Sequence, residues 1–376
     1  MKIHGRTSVH EFLGNSVVYR NLVPQDPGLP ALAQIRPALG FADNFVPRKS
    51  QPEYAQVIVH MLNAAQALRF PGRPIERLVY VGDTQLNDGN AFANISRVGG
   101  WPGLCFIGAD RKTPPHIDVI RQDQYVIYVA NRWQAIADFA GFLQDENFAI
   151  DETTAIVVDL DKTALGARGR NDHVIDGARV EAVRRTVGEL LGDDFNPEAF
   201  QTSYDILNQP EFHPFTADNQ DYLAYICLIL GSGIFQLDPL VAEVRARQMT
   251  SFQQFIAAAD ERKAQLPSTL APIHKQIHDL VEAGDPTPFK DFRYNEYRVT
   301  VEHMACLDDG ASVESLLEQE IVVTEEVRQK ALEWRSQGAL LFGLSDKPDE
   351  ASIPSSSLAQ DGYRAIHQTE THAIGE

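Results

Sequence analysis

A chain of 376 residues, 44% hydrophobic and 23% charged, is long enough for two domains and a sizeable core. Its formal charge of −19 speaks against sequence-independent binding to nucleic acid or an anionic membrane, since both reward Lys and Arg. Cys105, Cys227 and Cys306 are dispersed, and no apolar run is long enough to span a bilayer; the chain reads as soluble and cytoplasmic, with reduced thiols.

Residues 1–50 are rich in Pro and Gly and give one short strand, Ser16–Tyr19. Tyr54, Val57, Ile58, Met61, Leu62 and Ala65 have helical spacing over about 53–68, and Pro71-Gly-Arg-Pro74 breaks the pattern. Leu78–Val81, Gly103–Ile107 and Val126–Val129 are strand candidates, followed by a helix over Arg132–Leu143 and a polar connector over Gln144–Thr153. Ala155-Ile-Val-Val158 reads as a buried parallel strand. A Gly/Arg-rich turn, Gly166–Arg170, opens a long helical stretch from Gly177 to about Asp309, with loops at Pro210–Asp221 and Gly284–Pro288. Thr324 is placed to cap a helix ending near Gly338, Ala339–Leu344 forms a last strand, and the polar tail from Ser352 is expected on the surface.

Three strands end in groups capable of chemistry. The strand at 155–158 runs into Asp159 and Asp161, with Thr163 beyond. Alternation along a straight strand puts both carboxylates on one side, where they need a cation or a shared proton. Gly82-Asp83 with Asp88 follows a second strand, and Ser345 follows a third. Ligands of open parallel sheets bind outside the carboxyl ends of the strands, so these groups meet if their strands are neighbours.

Together these residues resemble the haloacid dehalogenase (HAD) superfamily of phosphotransferases. Asp159-Leu-Asp-Lys-Thr163 is similar to its first motif, D-x-D-x-T; Ser345 to the second; Lys49 to the third; and Gly82-Asp83 through Asp88 to the fourth. The usual order is one to four, whereas here it is three, four, one, two. That order reads as a circular permutation joined near 144–153.

The resemblance implies an α/β fold, a HAD-like Rossmannoid parallel sheet, permuted, with an inserted mainly α-helical cap. Residues 1–165 would form the first part of the core, 166–318 the cap, and 319–376 the rest. It further implies a magnesium-dependent phosphomonoester hydrolase acting on a small phosphorylated metabolite. Asp159 would be the nucleophile and Asp161 the general acid and base. Mg2+ would be held by Asp159, Asp161 (through its carbonyl) and Asp83, with Asp88 either a ligand or an orienting group. Ser345 and a lysine would bind phosphoryl oxygens. Lys49 is favoured over Lys347 because it leads into the helix before the Asp83 strand. Thr163 and Lys347 are further substrate-binding candidates. A phosphomutase or phosphotransferase, and an inactive binding protein of the same fold, are the alternatives, and a homodimer is compatible with the reading.

Within the helical stretch, Phe289, Lys290, Arg293 and Tyr294 are candidate substrate contacts, against a plainer reading as a connector with core aromatics. His274 and His278 have a zinc-compatible spacing, but no third ligand or adjacent Glu accompanies them; a solvated helix face is the expectation.

Overall fold

The computed structural model describes residues 1–376. Two compact units make up the chain: one from Met1–Gly177 with Thr300–Glu376, the other from Ala178–Val299. The helical unit lies inside the 166–318 span expected for an insertion. No helix is long and apolar enough to cross a membrane.

The first unit is a mixed α/β structure with ten strands: β1 (Lys2–Thr7), β2 (Val17–Val18), β3 (Arg77–Gly82), β4 (Gly103–Gly108), β5 (Ile117–Arg121), β6 (Tyr125–Ala130), β7 (Thr154–Asp159), β8 (Val323–Thr324), β9 (Leu340–Leu344) and β10 (Thr371–Gly375). A seven-stranded sheet has the order β2-β9-β7-β3-β4-β6-β5. All of its pairings are parallel except that of β5 with β6. The central strands β7, β4 and β9 are buried along their whole length, which is why they read as unbroken apolar runs in place of alternating ones.

The helix Pro52–Arg69 starts with Pro in its first turn, where no amide bond is lost, and buries Tyr54, Val57, Ile58, Met61, Leu62 and Ala65. Those are the residues its helical spacing singles out. They pack in one core with Leu78, Tyr80, Val157, Phe342 and Leu344 of the central strands. β5 has no sequence signal because four of its five residues are exposed at the sheet edge.

A second, three-stranded sheet has the order β1-β10-β8. It corrects the expectation of a surface tail, because all five residues of β10 are buried. β10 pairs antiparallel with β1 and parallel with β8, and the buried Glu320 accepts from Thr371 Oγ1 at 2.8 Å and His372 Nδ1 at 2.7 Å. The polar residues that made this segment look solvated are partners of that carboxylate.

The second unit is helical throughout. Pro210–Asp221, expected to be a loop, instead holds the short helical turns Pro210–Phe212 and His213–Thr216 and the start of the helix Gln220–Gly231.

Candidate active site

β9, β7 and β3 are consecutive in the sheet, so Ser345, Asp159 and Asp83 emerge at one edge, as the strand-end argument requires. Carboxylate oxygens of Asp83, Asp88 and Asp159 all lie within 4.8 Å of one another, and all three residues are buried.

Lys49 reaches this group from the turn preceding the helix Pro52–Arg69. Its Nζ donates to Asp159 Oδ1 at 2.5 Å and Asp88 Oδ1 at 2.6 Å. Burial pulls the ammonium down, but the charges of Asp159 and Asp88 outweigh it and hold the group well above the usual lysine range. Lys347 is elsewhere: its Nζ donates to Thr300 Oγ1 at 3.1 Å and its amide to Ser345 Oγ at 3.0 Å. Of the two lysines, Lys49 is the one that touches the carboxylates.

Asp88 has an orienting geometry. Oδ2 accepts from the amides of Asp83 (3.1 Å) and Thr84 (2.9 Å) and from Thr84 Oγ1 (3.1 Å), and Oδ1 accepts from Lys49 and from Tyr80 Oη (3.2 Å). Five donors leave it little capacity for a cation. They hold Asp88 well below the usual carboxylate range despite its burial, Lys49 contributing most. Asp88 therefore fixes the loop after β3 and the Lys49 ammonium. Gly82 makes room for it, since a Cβ there would lie 2.5 Å from Asp88 Cβ. The intervening chain closes a π-helical turn, Gln85–Gly89, with the Gly89 amide bonded to Thr84 O.

Asp161 lies beyond the straight strand on which the expectation of two carboxylates on one side rests. The strand ends at Asp159, and Lys162 takes a left-handed conformation (φ 64°) as the chain turns back on itself, with the Ala164 amide bonded to Asp159 O. The Asp161 carboxylate is outside the buried cluster, and its Oδ2 accepts from Ser345 Oγ at 3.4 Å, at the long limit of a hydrogen bond. Thr163 is fully buried, and no group bonds its Oγ1.

One participant had no sequence signal. Arg168, in the Gly/Arg-rich turn, donates from Nε to Asp83 Oδ2, while its own carbonyl is held by the Asp110 amide and by Trp133 Nε1. Gly169 permits this turn: its φ is +76°, and a Cβ there would lie 1.8 Å from Asp110 O.

The charge balance tests the site against a cation. Three buried carboxylates face two protein cations, Lys49 and Arg168, which leaves one negative charge in excess. The strain is visible in Asp83, which burial and the neighbouring Asp88 push up to about 7 against Arg168. Asp159 is also pushed well above its usual range, by burial and then by Asp88 and Asp83, against Lys49. An excess of carboxylate oxygen at one strand edge suits a hard divalent cation such as Mg2+, with Asp83 and Asp159 the candidate ligands.

Arg293 does not belong to this group. In the helical unit its guanidinium is buried, bonded to Asp221 Oδ2 from Nε (2.9 Å) and Nη2 (2.5 Å), and to Glu296 Oε2 from Nη1 (2.6 Å). Phe289 is buried and Tyr294 exposed, so this stretch is a buried polar core with one exposed ring. His274 is buried, not solvated: Nδ1 is 2.6 Å from Tyr225 Oη and Nε2 is 3.2 Å from Asp260 Oδ1.

Comparison with protein-family models, with curated proteins and with solved structures returns no significant match.

Proposed function

We propose that this protein is a magnesium-dependent phosphomonoester hydrolase with a permuted HAD-like core, working through an aspartyl-phosphate on Asp159. The observation that carries the reading is the buried Lys49–Asp159–Asp88 contact with Asp83 beside it, built from three separate stretches of chain at one sheet edge. A strand-end carboxylate paired with a lysine and adjoining a second, cation-seeking carboxylate is a suitable nucleophile for an anionic substrate.

In this reading Asp159 Oδ2, which receives no hydrogen bond, attacks phosphorus, and the bond from phosphorus to the leaving oxygen breaks. Asp161, less buried and outside the cluster, gives that oxygen its proton. The same carboxylate then takes a proton from the water that attacks the aspartyl-phosphate, freeing phosphate and restoring Asp159. Lys49 and Ser345 bind phosphoryl oxygens, and Arg168 balances Asp83. Mg2+, held by Asp159, Asp83 and the Asp161 carbonyl, would offset the charge between carboxylate and phosphoryl group. The inserted helical unit corresponds to the cap.

The test is hydrolysis of an aryl phosphate, and then of sugar, nucleotide and amino-acid phosphates, with and without magnesium. Wild type should release phosphate only with the metal, and Asp159→Asn should be inactive. Isomerised product without free phosphate would move the protein to the mutases. A wild type inert across the whole panel would sink the reading.

A further inference from the structure

The phenol of Tyr54 is buried, and its oxygen has no hydrogen-bond partner. An unmet buried hydroxyl costs stability, and native structures rarely keep one without reason. Its position supplies a reason. Tyr54 lies in the first turn of the helix that follows Lys49, and its ring packs in the same cluster as Tyr80, Val157 and Leu344. Val157 is two residues before Asp159, and Leu344 immediately precedes Ser345. Burial, and then the carboxylates of Asp346, Asp159 and Asp88 against the pull of Lys49, hold the phenol protonated well above its usual range. It is therefore a donor at every working pH. Lys49 occupies Asp159 Oδ1 and five donors occupy Asp88, and the phenol donates to neither carboxylate.

We propose that Tyr54 is a substrate-binding residue whose hydroxyl donates to an oxygen of the phosphoryl group carried at Asp159, beside the Lys49 ammonium. The assignment rests on the phosphatase reading. It explains why the fold keeps an unsatisfied hydroxyl here, where a phenylalanine would fill the same space: the missing acceptor arrives with the ligand.

Tyr54→Phe removes that oxygen and nothing else. Two measurements on the full-length protein are opposed in sign. The midpoint of thermal unfolding without ligand should rise, by roughly 2–4 °C, because an unmet polar atom is gone. The dissociation constant for inorganic phosphate, measured by calorimetry in magnesium buffer, should rise roughly tenfold or more, the worth of one hydrogen bond to a charged acceptor. Magnesium affinity should not change. A lower midpoint, or a phosphate affinity within twofold of wild type, overturns the assignment. Where wild type binds phosphate and Tyr54→Phe binds it equally, only the Tyr54 assignment falls. Where wild type binds no phosphate and Asp159→Asn leaves its magnesium affinity unchanged, the phosphatase reading falls, and the Tyr54 assignment with it.

Discussion

Lys49 Nζ and Asp159 Oδ1 are 2.5 Å apart although 110 residues separate them in the chain. The contact joins the turn before a helix to the end of a central strand, and the same ammonium holds Asp88 from the loop after β3. One side chain thus ties together three parts of the site.

Replacing Lys49 by Met leaves two buried carboxylates without their shared cation. Breaking such a pair typically costs about 3–5 kcal/mol. Removing the ammonium raises the folded-state pKa of Asp159 and Asp88, so the unfolded state then releases protons that the folded state keeps. The deficit should therefore be largest near pH 7 and shrink as the pH falls and both carboxyls protonate. Urea unfolding at pH 7 and pH 5 would show it; an equal deficit at the two values would mean that Lys49 acts through packing alone.

Gly82→Ala introduces a Cβ 2.5 Å from Asp88 Cβ and within 3 Å of its carboxylate. Backbone and side chain must both move, at a cost of about 1–3 kcal/mol for overpacking. The displacement should also free Lys49 and disturb Asp83, so under the proposed phosphatase reading magnesium-dependent hydrolysis should fall much more than the stability change alone accounts for. Magnesium titration of the folded variant separates the two effects. Wild-type activity in this variant would show that the loop adjusts without cost to the site.

Strand ends were the legible part of this site. Short apolar runs mark β3, β7 and β9 wherever they lie in the chain, and each run delivers its acid or hydroxyl to the same edge. What the sequence concealed depends on turns and on distant partners. Asp161 stays out of the buried carboxylate group beyond the point where the strand stops, and Lys162 then turns the chain back, which no alternation rule anticipates. Arg168 belongs to an aperiodic turn whose direction depends on Asp110 and Trp133, both in another segment. β10 reads as polar because Thr371 and His372 find their acceptor in Glu320, some fifty residues away. His274 reads as solvated for the same reason, its partner Tyr225 lying on another helix.

The buried Arg293–Asp221 pair of the helical unit should behave as structure. Arg293→Met takes from Asp221 its buried cation and leaves Glu296 to Arg179, and should cost about 3–5 kcal/mol. Adding Asp221→Leu should recover a large part of that loss, because a well-packed apolar pair often equals a buried ion pair. Denaturation of the single and double variants checks this. A double variant less stable than Arg293→Met would show that the remaining partners of Asp221, the Phe289 amide among them, matter more than the charge pair.

His367 carries the clearest acid sensitivity outside the site. It is fully buried, its Nδ1 lies 2.9 Å from Tyr19 Oη, and its Nε2 has no partner. Burial, helped by the charge of His10, lowers its pKa from 6.5 to about 4. A depressed histidine is neutral when folded and takes up a proton on unfolding. Its contribution is therefore full above pH 6.5, is lost as the pH falls from 6.5 towards 4, and levels off below that. The shift corresponds to about 3 kcal/mol across the window. His367→Gln has no proton to gain there. The stability difference between wild type and this variant, from urea midpoints at half-unit steps between pH 7 and pH 4, should move in the variant's favour by up to that amount. A difference that stays constant with pH would mean that His367 is protonated in the fold, with Nε2 finding an acceptor on the neighbouring tail.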